Sequence, residues 1–387
     1  MKASSLHIFI ADPHLQGGGQ VRYISTLAAG LQASGHRVTI GCRPGSVLIE
    51  QTSQHAFSYD RFLFKGGLRP RAWIHDLRAA RLLFRTQHPD IIHVNGSQDH
   101  WTMALANQAS GHTIPLLRTR HNTYAVSPNP ANVILNRQLT DFQIVVCDTV
   151  RKTLAQHPAF RADRLCSIHN GVDTDLYQRD EAARLRARQE FNCKPDDFVC
   201  GIVARLVPAK GHRFLFEAAA LLKDEVPNLI ILVFGQGVLE NELTQLASDL
   251  GISSRVRFHG FRTDMQYCVQ AFDIGAQPSI DCDTSSFSMK EQMAACIPVV
   301  ASDYGGLHEI IDDGKEGILV PHGTVEPLAK AIKTLAQCPE LGRQMGETAR
   351  ERVCREFSSA TFVRRTVEVY LEVLQSFKKD NTKGRGK

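Results

Sequence analysis

The chain has 387 residues, 43% of them hydrophobic and 22% charged, with a formal net charge of +5. That is room for two domains of ordinary size, and it excludes a disordered or fibrous chain. No apolar run reaches the 18 residues or so that a membrane-spanning helix needs. The ten cysteines (42, 147, 166, 193, 200, 268, 282, 296, 338 and 354) form no CxxC pair, which favours buried reduced thiols over a zinc or disulfide framework.

The N-terminus, MKASSLHIFIAD, is too short in its apolar part for a signal peptide and turns directly into a strand-like run, so cytoplasmic residence is expected. In the first half, His7–Ala11, Val38–Gly41, Ile91–Asn95, Pro115–Thr119 and Ile144–Cys147 read as strands. Helices fit between them, such as Val21–Ser34 with Gly35 as a stop. This alternation is the mark of an α/β protein with parallel sheets. Gly17-Gly18-Gly19 falls between the first strand and first helix. Glycines there bring backbone N–H groups close to a ligand, but GGGQVRY lacks the GxGxxG spacing of a dinucleotide site. From Arg61 to Arg85 seven Lys/Arg (61, 65, 69, 71, 78, 81, 85) face one acid, Asp76, with Phe62, Leu63, Phe64, Leu68 and Trp73 interleaved. The C-terminal tail adds Lys378, Lys379, Lys383, Arg385 and Lys387. Such a surface suits anionic lipid headgroups or an acidic acceptor; a solvated helix face is the plain alternative. Asn95, Asp99 and His100 follow a strand and could meet an acceptor, although Ser97 or Asp99 could equally cap a helix.

A polar segment, with His169-Asn170-Gly171-Val172-Asp173 and charged Asp180–Glu190, separates the halves, and the boundary is placed near residues 170–195. The rhythm then restarts with strands at Phe198–Arg205, Leu229–Phe234, Val256–His259, Ile274–Gln277, Val299–Ala301 and Gly317–Val320. Phe214–Leu222, Leu239–Leu250 and Ser288–Ala295 read as helices, and Arg350–Phe377 as a late helical stretch. Arg205 ends one strand and Lys210 lies five residues on, before a helix. Two cations so placed can converge on one diphosphate, and would favour its departure as negative charge develops. Asp283 and Glu291 lie eight positions apart, the first in a Ser/Thr-rich loop and the second in the first turn of a helix. A helix N-terminus suits phosphate and sugar oxygens, and a carboxylate there can accept from the hydroxyls of a ribose. Asp281-Cys282-Asp283 is a literal DxD, yet Lys and Arg already supply neutralising charge, so no metal is expected.

Arg205…Lys210, the strand ending in Gly235-Gln-Gly237, Val256-Arg-Phe-His-Gly260, Asp283…Glu291, IHNGVDTDLY and PVVASDYGGLHEII together resemble the retaining GT-B glycosyltransferases of family 4 (group 1). The resemblance implies two Rossmann-like domains facing a cleft, whose closure would exclude water, and a C-terminal helix crossing back to the first. Expected limits are 1–175 for the acceptor domain, 176–360 for the nucleotide-sugar domain, 361–377 for that helix and 378–387 for a basic tail. Arg205 and Lys210 match the pair that binds the donor diphosphate, and Glu291 the second glutamate of the E-x7-E motif, which holds the ribose. The Gly17–Gly19 loop resembles the family's loop near donor phosphates and acceptor. His121, in RTRHNT, resembles the histidine that contacts the transferred sugar. Asp283 stands where the family usually has glutamate, as the sugar-facing carboxylate. Backbone N–H groups of Ser286, Phe287, Ser288 and Met289 are expected to serve sugar and phosphate.

The implied activity is retaining, metal-independent transfer from a UDP-, GDP- or ADP-linked sugar to a glycan or glycolipid, as in bacterial surface polysaccharide or lipopolysaccharide synthesis. No cofactor and no nucleic acid partner is expected, and the Arg61–Arg85 stretch is the candidate for peripheral contact with the inner face of the cytoplasmic membrane. Two rivals differ in class: a nucleotide-sugar epimerase, which needs no acceptor, and a degenerate subunit that binds without turnover, for which Asp283 is the main argument.

Overall fold

The computed structural model describes residues 5–384 apart from 53, 54, 56 and 68. Leu68, Arg385, Lys387 and the first four residues therefore lie outside the described residues, as does the side chain of Lys383. The chain divides into two compact units, 1–171 with 359–387, and 172–358.

The first unit is built from β1 (His7–Asp12), α1 (Gly19–Ala33), β2 (Arg37–Cys42), α2 (Val47–Gln51), β3 (Ser58–Arg61), α3 (Pro70–Gln87), β4 (Ile91–Val94), α4 (Gln98–Gln108), β5 (Leu116–Arg120), α5 (Pro130–Val133), β6 (Phe142–Val145), α6 (Asp148–Ala155) and β7 (Leu165–Ser167). Its seven strands run parallel in the order β3-β2-β1-β4-β5-β6-β7. β1 lies centrally, with His7 opposite Arg37 on one side and Ile8 opposite Ile91 on the other. All six of its residues are buried, as a strand covered on both faces requires.

The second unit contains α7 (Glu181–Glu190), β8 (Phe198–Val203), α8 (His212–Leu221), β9 (Leu229–Phe234), α9 (Glu240–Asp249), β10 (Val256–Phe258), α10 (Met265–Cys268), β11 (Ile274–Gln277), α11 (Phe287–Ala294), β12 (Val299–Asp303), β13 (Gly317–Pro321), α12 (Val325–Gln337) and α13 (Pro339–Glu356). Its six parallel strands are ordered β10-β9-β8-β11-β12-β13. The strand order reverses beside β1 in one unit and beside β8 in the other, and the carboxyl ends at such a switch point are where open α/β sheets bind ligands.

The late helical stretch of the sequence is interrupted. α13 stops at Glu356, and α14 (Ser359–Gly384) starts after a break at which the Val172 N–H donates to the Phe357 carbonyl. α14 belongs to the first unit and packs on α1. The edge strands β3 and β7 are absent from the sequence reading, because SYDR and LCS are short and partly exposed and carry no apolar run. The basic stretch also sorts itself. Phe62 and Phe64 are core residues stacked on one another, and Asp76 is buried, accepting from the N–H groups of Leu63 and Phe64. Both phenylalanines of the expected docking surface are thus inside and Trp73 is half-buried, while Arg61, Lys65, Arg69, Arg71, Arg78, Arg81 and Arg85 are exposed with Ile74 and Leu82. None of the ten cysteines is in a disulfide, but only Cys42, Cys147, Cys200 and Cys268 are buried; Cys338 and Cys354 are exposed. Among the described residues no helix is long and apolar enough to cross a membrane.

Candidate active site

In the second unit the carboxyl ends of β8, β11 and β12 carry three loops that lock together. After β8 the chain exposes Arg205 and makes a 3-10 turn, Pro208–Lys210. Gly211 closes it at φ +70°, and a Cβ there would lie 1.8 Å from the Pro278 carbonyl oxygen. The turn therefore presses directly on the segment after β11, and the N–H groups of Ile280 and Asp281 donate to the Ala209 carbonyl at 2.9 and 3.3 Å. From the other side Gly305, at φ +60°, brings the turn after β12 against Asp283, whose carbonyl accepts from the Gly306 N–H at 3.2 Å.

Between these loops sits the Asp283 carboxylate, 4% exposed. Its Oδ2 accepts from Lys210 Nζ at 2.8 Å, Gln277 Nε2 at 2.8 Å and Ser279 Oγ at 2.7 Å. Three donors on one oxygen aim the carboxylate inward. The side chain, one methylene shorter than glutamate, is paired with Lys210. Asp281, the other carboxylate of the DxD, accepts from the Tyr304 hydroxyl and the Cys282 N–H, and these bonds hold it below the usual carboxylate range. No group of three His, Cys, Asp or Glu among the described residues is arranged to hold a metal ion.

α11 starts at Phe287, so Glu291 falls in its second turn rather than its first. Ser286 is the N-cap, and its Oγ accepts from the Met289 N–H at 3.2 Å. Met289 is thereby withdrawn from the backbone donors offered to a ligand, whereas Phe287 and Ser288 head the helix, where unsatisfied N–H groups concentrate. Glu291 is 2% exposed. Its neighbour Lys290 is fully buried, donates to Ser285 Oγ at 2.8 Å, and lies over the rings of Phe357 (5.3 Å) and Phe287 (5.9 Å). Nothing in the string SMKEQM distinguishes that lysine from a solvated one, and Gln277 and Ser279 were equally silent.

In the first unit the carboxyl ends of β1, β4 and β5 gather a second polar cluster. Asp12 is fully buried, and its Oδ1 meets Gln20 Nε2 at 2.8 Å and His14 Nδ1 at 2.9 Å. That hydrogen bond raises the pKa of the half-exposed His14 imidazole. Asn95 donates from Nδ2 to the Ala11 carbonyl, so its Oδ1 is the acceptor facing His121 Nε2 at 3.1 Å, and His121 carries its proton on that nitrogen. The His121 ring packs edge-on against Tyr23, and burial pushes its pKa down to about 3, which keeps it neutral. The Gly17–Gly19 loop is exposed at the start of α1, with nothing crowding a Cβ at Gly18 or Gly19.

Two of the residues expected to meet an acceptor lie inside the first unit. His100 is fully buried, with Nε2 on Thr140 Oγ1 and Nδ1 on Arg118 Nη1, so neither nitrogen is left for a ligand. Asp99 is fully buried too, and its Oδ2 accepts from the N–H groups of Asn95 and Gly96, shaping the turn after β4. Burial pushes its pKa up to about 6. Of the three, Asn95 alone stays beside His121.

The chain also resembles known proteins. Residues 17–176 match the profile of Glycosyltransferase Family 4, and residues 183–352 that of Glycosyl transferases group 1. EpsD of Bacillus subtilis (strain 168), assigned by name as a glycosyltransferase, is 31% identical over 305 residues, 76% of this chain and 79% of that protein. This chain belongs to the group 1 glycosyltransferase family, with the two-domain GT-B fold. The D-inositol 3-phosphate glycosyltransferase of Corynebacterium glutamicum (strain R) is 28% identical over 290 residues, 72% of this chain and 68% of that protein. Among solved structures, Anabaena Alr3699/HepE in complex with UDP superposes with a TM-score of 0.83 at 22% identity, covering 95% of this chain and all of that one.

Proposed function

We propose that this chain is a retaining glycosyltransferase that moves a sugar from a nucleotide-linked donor to a glycan or glycolipid acceptor in the building of a bacterial surface polysaccharide. What supports the donor side is that Arg205 and Lys210 lie on the loop after β8, that Lys210 is bound to Asp283 shortly before α11, and that α11, which follows β11, carries Glu291. Arg205 and Lys210 bind the diphosphate, Glu291 accepts from the ribose hydroxyls, and the head of α11 faces the phosphates. The UDP complex of the Anabaena structure makes UDP-sugars the first donors to try.

The acceptor lies in the first unit, against Gly17–Gly19, Asn95 and His121. Neutral His121, held by Asn95, offers a hydrogen bond to the transferred sugar without adding charge. Attack comes from the face that the diphosphate leaves: the acceptor oxygen bonds to the anomeric carbon as the carbon–phosphate oxygen bond breaks. The departing phosphate oxygen takes the acceptor proton, and Arg205 and Lys210 stabilise the charge it gains. Those cations make a metal unnecessary. The exposed basic face of α3 supports a site of peripheral contact with anionic membrane, where a lipid-linked acceptor would reside.

The test is a thermal-shift panel of UDP-, GDP- and ADP-sugars, since a ligand that binds the native state raises the melting temperature, followed by the anomeric configuration of the product. An inverted product would overturn retention. An epimerised nucleotide sugar formed from donor alone would overturn transfer.

A further inference from the structure

The buried side of the donor loop contains a residue that the reaction itself does not call for. Gln277 is the last residue of β11 and is 2% exposed. Its two ends face different halves of the site. Nε2 donates to Asp283 Oδ2 at 2.8 Å and to Ser279 Oγ at 3.0 Å. Oε1 accepts from Ser286 Oγ at 3.3 Å and from Ser288 Oγ at 3.2 Å. The first end therefore touches the carboxylate that holds Lys210; the second touches the N-cap and second residue of the helix that carries Glu291. An amide is the one uncharged side chain that can serve a carboxylate with one end and two hydroxyls with the other.

We propose that Gln277 is a positioning residue for donor binding, tying the Asp283–Lys210 pair to the head of α11 so that the diphosphate and ribose contacts keep one spacing. The proposal rests on the donor reading above. Leucine at 277 would remove the Asp283 donor and the acceptor shared by the Ser286 and Ser288 hydroxyls. Glutamate would keep the shape but set a second carboxylate within hydrogen-bond reach of Asp283, and two carboxylates so close share a proton. Donor affinity in Gln277→Glu then depends on that proton. The charged and titratable groups around the pair are Lys210 before α8, His212 on α8, Asp281 and Cys282 in the loop, Tyr304 after β12, and Lys290 and Glu291 on α11. All are common to the wild type and the variant, so the difference between the two isolates position 277.

The experiment measures UDP and GDP affinity by calorimetry at pH 5.5 and pH 8 for the full-length wild type, Gln277→Leu, Gln277→Glu and the exchange Gln277→Glu/Asp283→Asn, with a melting temperature for each. The expected result is about a tenfold loss for Gln277→Leu at both pH values. Gln277→Glu binds within about threefold of wild type at pH 5.5 and at least tenfold more weakly at pH 8, beyond any change in wild type. The exchange, which again sets one amide against one carboxylate, recovers most of that loss. If wild type binds while Gln277→Glu follows the wild-type pH dependence, or the exchange is no better than Gln277→Glu alone, the positioning role is overturned. If wild type binds neither nucleotide, the donor reading falls and takes this inference with it, an outcome distinct from the first. If a variant does not fold at pH 8, the exchange carries the decision: a folded exchange protein with wild-type affinity supports the proposal, and a folded one without it overturns it.

Discussion

Arg205 and Lys210 looked alike in the sequence, and the structure makes them different kinds of residue. Among the described residues Arg205 makes no side-chain hydrogen bond or ion pair and is exposed, whereas Lys210 is 17% exposed and bound to a buried carboxylate. Arg205→Ala should leave stability within about 0.5 kcal/mol of wild type while weakening nucleoside diphosphate binding. Lys210→Ala leaves Asp283 buried with its charge uncompensated and should cost about 3 kcal/mol in urea denaturation, largely regained in Lys210→Ala/Asp283→Asn although binding stays weak. A second residue-scale effect comes from the buried histidines of the first unit. His93 is fully buried between Tyr370 and Thr119, and burial lowers its pKa from 6.5 to about 3. The unfolded chain takes up this proton below about 6.5 and the native one does not until about 3, so stability is lost as the pH falls through that window. Between pH 7.5 and 5.0 His93 alone should remove about 2 kcal/mol. Asp99 has the opposite sign: with its pKa raised from 3.8 to about 6, it disfavours the fold as the pH rises from 4 to 6, and regains about 1.4 kcal/mol over the same fall. Gln at 93 should shrink the acid-side loss by about 2 kcal/mol, read from urea curves of His93→Gln and wild type at the two pH values.

At the scale of elements, α11 shows how one serine serves two purposes. Ser286 caps the helix at Met289 and also donates to Gln277. Ser286→Ala should cost about 1–2 kcal/mol, seen as a lowered urea midpoint at unchanged slope, and Ser286→Asn, which keeps a capping oxygen, should recover at least half. The helix was legible from Ser288, one residue after its start, because a Ser/Thr-rich loop precedes it. The central strands were legible for a related reason: LIILVF and HIFIAD are apolar on both faces, so β9 and β1 fall within a residue of where the sequence put them. The edge strands β3 and β7 bury too little to leave a pattern. The helix break at 357–358 was hidden because Phe357 and Phe362 both continue the apolar spacing although they belong to different units. The loop positions of Arg205 and Lys210 could be read from the sequence, whereas the direction of Asp283 could not. That direction depends on Gln277 and Ser279, and they meet it only once β11 and the following loop have folded.

Across the whole molecule the chain ends by completing the unit in which it began. α14 buries Phe362, Val363, Tyr370 and Val373, with Phe362 against Tyr23 at 4.8 Å and the Tyr370 hydroxyl on His93 Nδ1 at 2.6 Å. At about 2 kcal/mol for each buried apolar side chain, these four contribute on the order of 8 kcal/mol, as much as the whole net stability of many domains. A chain ending at Ser358 should therefore lose the first unit. Residues 172–358 hold two buried clusters of their own and should keep the protease protection of the second unit. A point variant tests the same closure without truncation. Gly30 on α1 leaves room for Val363, and a Cβ added there would come 2.3 Å from Val363 Cγ2. Gly30→Leu cannot be absorbed by backbone adjustment alone, because both partners sit on helices packed against one another. It should lower stability by about 2–3 kcal/mol, and Gly30→Ala/Val363→Ala, which returns the lost volume, should do better than Gly30→Ala alone. If limited proteolysis finds the first unit equally protected in wild type, in Gly30→Leu and in the chain ending at Ser358, then α14 is an appendage and the first unit closes without it.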